Sequence, residues 1–415
     1  MASVVVTVKI DGVATDPKLC RPPQVRSAGM RSITVDERRA RLARRHFLLE
    51  PAESAEEVVA DLVGLHTTDP ATPYLSLWAR LTGFAVSDLD AEVYRRRTLV
   101  KHLAMRRTLW TVRAADLPLI QVGASDRVAA NERRRLAGDA QRAGVTPDGE
   151  KWLDTACAAV LRHLAEHGAA SAKELRMALP ELTGRYHYAP GRRWGGQTPL
   201  APRVLTVLSA QGDIVRGPND GGWRVARPRW EPMAHWLPAL PGRPQPEIAR
   251  AELVRRWLRT FGPATITDIS WWFGSTLGWA REALQDVEAV EVDIDGAAGF
   301  VLPDDVEAEP AVEPWCALLP GLDITTMGWV DRDWYIGDHR DRIFDRSGNA
   351  GPTAWWDGRV VGGWTQDADG RIVVQPLEQL SHDAVRALRQ RADDLTAWLD
   401  GVRVNPRFPS PLSKR

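Results

Sequence analysis

The chain has 415 residues, more than one ordinary core holds, so about two to four domains are expected. Hydrophobic residues make up 44% and charged residues 26%, a globular composition, and no apolar run approaches the roughly 20 residues that a membrane-spanning helix needs. Basic and acidic residues balance at 54 each, which excludes binding a polyanion through bulk charge and leaves that task to local clusters.

Residues 1–32 read as a loose tail, and a first unit follows over 33–145. Thr34 and Glu37 have the spacing of a capping box, in which each side chain satisfies the other's free backbone N–H. They open a helix over 38–48. Val58, Val59, Leu62 and Leu65 mark a second helix over 54–65, and Tyr74, Leu77, Trp78 and Leu81 a third. A fourth is predicted over about 86–94. Strands over 98–104 and 108–113 make a hairpin with Met105, Arg106 and Arg107 at its tip. Arg95, Arg96, Arg97, Lys101, Arg106, Arg107 and Arg113 lie close together with few acids between them. Of the 54 basic residues 48 are Arg, the side chain suited to bidentate phosphate contact.

The second unit spans 146–240. Leu153, Ala156, Val160 and Leu164 share one face of a helix over about 150–166, ended by Gly168. Ser171 and Glu174 form another capping box. Residues 185–197 read as a polar loop. Thr198 and Pro199 suit the start of a helix that buries Val204, Leu205 and Leu208 and stops at Gly212. Residues 214–216 and 223–225 flank a Gly/Asn/Asp turn and read as a hairpin.

The third unit, 245–305, repeats the plan. A helix through Leu253, Trp257 and Leu258 breaks at Gly262 and Pro263, and Thr265 to Asp268 is a capping box. Helices through Trp271, Trp272, Trp279 and Leu284 follow. Strands over 290–294 and 300–302 then flank Asp295-Gly296, a strong hairpin signal. Three helices and a hairpin are the winged-helix plan. Over 306–402 the pattern turns to β, with strands at 360–361 and 372–374, turns at Asp357-Gly358 and Asp369-Gly370, and a last amphipathic helix over about 382–399. A small barrel-like domain is expected there, and residues 403–415 read as loose. The fold class is α+β: three tandem winged-helix units followed by a C-terminal β-barrel-like domain.

Cys20, Cys157 and Cys316 are too far apart for a disulfide framework or a metal-ligand set and suit a reducing cytosol. His102, His163, His167, His187, His235, His339 and His382 show no ligand spacing, and no Gly-rich phosphate loop or nucleophile elbow is present. Neither a metal nor a cofactor is expected. Residues 331–346 alternate carboxylates with Arg and read as a solvated ion-pair face. Among the 18 Trp residues, Trp78, Trp257, Trp271 and Trp272 fall on buried helical faces, leaving Trp110, Trp355, Trp356 and Trp364 as candidate rings for contact with a base.

Three stretches together resemble a known family. They are residues 62–81, which contain His66, Thr67, Thr68 and Asp69; residues 97–111, ending in Arg107 to Trp110; and residues 348–362, which contain Asn349, Asp357, Gly358 and Arg359. Over about 33–400 the chain resembles the bacterial winged-helix DNA glycosylases of the AlkZ/YcaQ type, linked to repair of bulky alkylation and interstrand crosslinks. The resemblance implies a cradle of three winged helices and a β-barrel around duplex DNA. It also implies a catalytic Gln–apolar–Gln or Gln–apolar–Asp motif in the first unit. This chain departs from both forms: the matching positions are His66 and Thr68, with Asp69 one place beyond.

Removing an N7- or N3-alkylated purine breaks a weak bond to a cationic leaving group. Such an enzyme mainly stabilises an oxocarbenium-like sugar and positions water. A His titrating near neutrality can act as general base, so His66 is the first catalytic candidate. Thr68 can share the water through its hydroxyl, and Asp69 can stabilise positive charge on the sugar, although Asp69-Pro70 also has the form of a helix start. Arg95, Arg96, Lys101, Arg106, Arg107 and Arg359 are the expected DNA contacts, and Trp110, Trp355 and Trp356 the lesion contacts. No Lys falls at the candidate site, which argues against a Schiff-base lyase step. The expected protein is a monomeric cytoplasmic glycosylase acting on double-stranded DNA with alkylated purines and making no membrane contact. The competing reading is a non-catalytic winged-helix protein, a transcription regulator or lesion-recognition factor. A protein-interaction scaffold is a weaker third.

Overall fold

The computed structural model describes residues 30–188 and 195–414; residues 1–29 of the expected tail lie outside them. Helices and short antiparallel sheets alternate along the chain, which is the α+β class. Among the described residues no helix is long and apolar enough to cross a membrane. Local chemistry accounts for the helix starts. Ser171 and Thr265 each accept the N–H three residues on, and Glu174 and Asp268 return a bond, so both capping boxes are complete. Thr34 likewise accepts the Glu37 N–H at the helix Val35–Arg45. The Glu37 carboxylate is drawn instead to Arg31 and Arg41, because a charged partner outbids a neutral N–H.

The hairpin of Val290–Ile294 and Ala297–Val301 turns through Asp295 and Gly296, both at positive φ, as the predicted turn requires. The middle of the chain departs from expectation. Residues 185–197 are not a bare loop, since Arg185–Tyr188 pairs with Gly196–Pro199. Thr198 lies within that pairing, so the next helix starts at Ala201 with a Pro in its first turn. The following hairpin is wider than predicted: Ile214–Asn219 pairs with Pro228–Pro232. Trp223 therefore leaves the ladder and packs on Tyr74 and Trp398, with ring centroids 5.1 and 6.0 Å away. Burying an indole is worth more than one ladder position.

The C-terminal strands do not close into the expected barrel. Cys316–Leu319, Thr353–Trp356, Arg359–Gln366 and Ile372–Pro376 form an open antiparallel sheet in chain order. The helix His382–Leu399 lays Leu388, Leu395 and Leu399 against its first and last strands. A covered sheet has no need to curl onto itself. Residues 403–412, expected to be loose, are tied down through buried Val404, Ser410 and Leu412.

Two principal cores result. One belongs to the middle of the chain, from Leu136 to Trp230. The larger runs through the N-terminal, third and C-terminal regions, from Leu42 to Leu412. Within it Arg80 and Asp323, both without exposed side-chain surface, form a two-pronged ion pair at 2.8 and 2.9 Å. Ser76, the His46 carbonyl and Thr325 meet their remaining hydrogen-bonding needs. Removing one partner leaves an uncompensated buried charge. Arg80→Ala is expected to destabilise the protein by about 3–5 kcal/mol in urea unfolding, and the Arg80→Met, Asp323→Leu double variant to recover most of that loss. An unchanged midpoint for the single variant contradicts this role.

Candidate active site

The motif sits at the edge of a three-stranded sheet. The predicted second helix ends at Asp61, and Gly64, at φ 133°, turns the chain into β1 (Leu65–His66). A Cβ on Gly64 would lie 3.1 Å from Val112, so the close approach to the next strand also needs glycine. β1 pairs with β3 (Leu109–Arg113), and β3 with β2 (Leu99–Leu103). The register sets His66, Trp110 and His102 across from one another on one face. Leu65, Thr111 and Lys101 fall on the other.

His66 is 4% exposed, with its ring 5.2 Å from that of Trp110. Its Nδ1 is buried and has no hydrogen-bond partner among the described residues. Burial, and then the Arg106 guanidinium, push its pKa down to about 3. The imidazole is therefore neutral at physiological pH. It is a weak proton acceptor, but a hydrogen-bonding group that does not repel a cation.

Thr67 fastens the motif to the sheet, its Oγ1 2.7 Å from that of Thr111. Thr68 is half-buried; its Oγ1 accepts the Leu109 N–H at 3.1 Å, which leaves its own proton to donate. Asp69 is buried with both oxygens engaged. Oδ1 accepts the Ala71 N–H at 3.1 Å, and Oδ2 the Arg407 N–H at 2.7 Å. Burial outweighs these bonds and raises its pKa. The Arg407 guanidinium also donates to the Thr68 carbonyl at 3.2 Å. The next helix, Thr72–Trp78, has Ala71 at its cap and Pro73 in its first turn, so Asp69 and Pro70 do not open it as the sequence suggests; Asp69 shapes the turn ahead of it.

The expected DNA contacts do not form one patch. Arg95 and Arg96 are exposed, Arg96 paired with Glu92. Lys101 is buried on the face opposite His66, where its amine donates to the Tyr94 hydroxyl at 2.6 Å. Burial pulls its pKa down to about 8, against the pull of Asp90. Arg107 pairs with Glu132 at 2.8 Å, and exposed Arg359 pairs with Glu378. Arg106 is the one of this set that acts on His66. It lies over the Trp271 indole, 3.9 Å from the ring centroid. Gly274, at φ 60°, permits that approach, since a Cβ there would meet the Arg106 backbone nitrogen at 3.1 Å.

Trp110 and Trp355, singled out as rings for a damaged base, are fully enclosed. Trp110 packs against His66 and Trp272, and Trp355 against Trp315 and Tyr335. Trp364 is buried as well, its Nε1 donating to the Leu319 carbonyl, and Trp356 is partly exposed. Two residues beside the site are not expected there: Trp271, assigned by the sequence to a buried helical face, is partly exposed under Arg106, and Arg332 is assigned to a solvated face. The solvated face predicted over 331–346 is broken at Arg332, which is 3% exposed and lies over Trp271 and Phe344 at 5.2 and 4.5 Å. Alternating Asp and Arg look the same in sequence whether or not one guanidinium turns inward.

Against this geometry stand three likenesses to known proteins. A family model described as DNA glycosylase AlkZ-like matches residues 59–398. The interstrand DNA cross-link repair glycosylase of Streptomyces sahachiroi is 29% identical over 199 residues, 46% of this chain and 52% of that protein, so the match spans about half the relative's length. The solved structure of Streptomyces sahachiroi DNA glycosylase AlkZ aligns with a TM-score of 0.69 at 23% identity, covering 90% of this chain and 99% of that one. At that identity the likeness speaks for the fold alone.

The depressed His66 pKa carries a stability consequence. The unfolded chain binds the proton near 6.5 and the folded chain only near 3. Stability from this group is thus fully present above the unfolded value and is lost progressively as pH falls toward the folded one. Between pH 7 and pH 5 the loss is about 2 kcal/mol. His66→Gln is expected to make that part of the pH profile shallower in urea unfolding, with buried His46 and His102, whose pKa values burial also lowers, accounting for the slope that stays. An identical slope for both proteins contradicts a neutral buried imidazole.

Proposed function

The chain belongs to the AlkZ-like DNA glycosylase family, and from that premise we propose that it is a monofunctional DNA repair glycosylase. It hydrolyses the N-glycosidic bond of bulky N-alkylated purines in double-stranded DNA. By the name of its curated relative, interstrand crosslinks join the proposed substrates. Winged-helix units over 33–145, 146–240 and 245–305, with the β domain over 306–402, form the cradle for the duplex. The protein works as a cytoplasmic monomer without a cofactor.

The alkylated purine is already cationic, so the C1′–N bond breaks with its electron pair leaving on the base. The sugar becomes an oxocarbenium-like cation. Water bonds through its oxygen to C1′ and gives up a proton, through the imidazole or directly to solvent. A neutral His66 suits this chemistry, because it orients water without repelling the sugar cation, and Thr68 shares the water through its hydroxyl. The observation that carries the reading is the unpartnered Nδ1 of His66. A buried polar atom left unsatisfied costs about 1–3 kcal/mol, a cost that an incoming water or substrate group removes. Lys101 lies on the opposite sheet face, which supports hydrolysis without a lyase step.

A second reading, DNA binding without catalysis, is favoured by the enclosure of His66 against Trp110. A base-release assay separates the two. On a duplex carrying N7-methylguanine or a bulkier N7 adduct, the protein is expected to leave abasic sites, read as strand breaks after alkali. His66→Ala is expected to slow release by about 100-fold or more with duplex binding kept. Binding with no release across several adducts selects the second reading.

A further inference from the structure

We propose that Arg106 and Arg332, gathered over the Trp271 indole, form a seat for one backbone phosphate of the DNA strand that carries the damaged nucleotide. The proposal rests on the glycosylase reading for the identity of that strand. Three separate parts of the chain converge on the seat. Arg106 stands at the tip between β2 and β3, Trp271 on the helix Ile266–Phe273, and Arg332 just ahead of the short helix Asp333–Ile336. Both guanidiniums face the same ring, at 3.9 and 5.2 Å from its centroid. Arg106 and Trp271 are partly exposed, so the seat opens to the surface.

The two charges lie side by side without an acidic partner among the described residues. Among those residues both Nε atoms are buried without a hydrogen-bond partner, and neither side chain has a carboxylate within ion-pair distance. Three other buried arginines are matched, Arg41 by Glu37 and Asp305, Arg80 by Asp323 and Arg203 by Asp139, whereas Arg38 lies singly over Trp334. The nearby carboxylate of Asp268 is committed elsewhere, to Thr265 and to the backbone N–H groups of Val330 and Asp331. Two like charges over one indole repel, and the ring face offsets only part of that cost. A phosphate diester carries the opposite charge. Its oxygens match the guanidinium fork, and partial burial strengthens the contact. The Arg106 pKa is lowered to about 9 by burial and then by Arg332, a repulsion that the same phosphate relieves. Arg106 in turn acts on His66, so the seat adjoins the candidate water-positioning group.

The test uses the full chain and a duplex containing a tetrahydrofuran abasic-site analogue, bound but not processed. Phosphates around the analogue are replaced one at a time by neutral methylphosphonates. Wild-type affinity is expected to fall by about tenfold or more at one position. For Arg332→Gln that position-specific loss disappears, and the slope of log affinity against log salt becomes shallower by about 0.9. Arg332→Lys retains the slope. The scan on wild-type protein needs no variant, and Arg106→Gln provides a second one where Arg332→Gln fails to fold. A wild-type scan with no sensitive position, or an Arg332→Gln scan identical to wild type, overturns the seat and leaves the glycosylase reading in place. A sensitive position in a protein that releases no base supports the seat and overturns the glycosylase reading.

Discussion

Arg80 and Asp323 meet where no water reaches either of them, and the placement of the candidate site follows from that contact. A buried ion pair holds only when its remaining hydrogen bonds are met, since desolvation otherwise cancels the attraction. Here Ser76, Thr325 and the His46 carbonyl complete the set. His46 adds a 2.7 Å contact to Thr325 and packs against Phe261 and Trp329. One polar node therefore joins the first helix, the third region and the loop after the first C-terminal strand. Ser76 lies on the helix that begins just after Thr68 and Asp69, so the motif is held in register with the β domain by charge as well as by packing.

A formal charge of zero is compatible with a polyanionic partner because many arginines are paired with the protein's own carboxylates. Arg41 and Arg45 are spent on Asp305, Arg113 and Arg256 on Asp116, and Arg250 on Asp286. Attraction for phosphate then depends on the guanidiniums whose charge no carboxylate offsets. Such attraction is local and directional, and it survives salt better where the contact is partly enclosed.

Elements whose ends are set by neighbouring residues are legible in the sequence. Ser171, Thr265 and Asp295-Gly296 each act within three residues, and the helix His382–Leu399 follows an apolar period unbroken by Gly or Pro. Features decided by distant partners are not. β1 has two residues, too few to show alternation, and exists because β3 pairs with it. The open C-terminal sheet depends on a helix that covers it, and the position of Trp223 depends on Tyr74 and Trp398. The motif positions His66 and Thr68 come from family resemblance. The neutral state of the imidazole comes from burial beside Trp110 and from Arg106, neither of which spacing reveals.

The bond from the Arg407 N–H to Asp69 spans 338 residues of chain. Tandem units are often treated as exchangeable modules, each carrying its own function. That contact ties the segment around Asp69 to the far end of the chain, so that segment does not stand as a module of its own. A fragment cut after 145 would lose the donor that holds Asp69 and the guanidinium that holds the Thr68 carbonyl, along with the Asp323 partner of Arg80. Recombining such units between relatives should therefore transplant the terminal segment together with the strand it fastens.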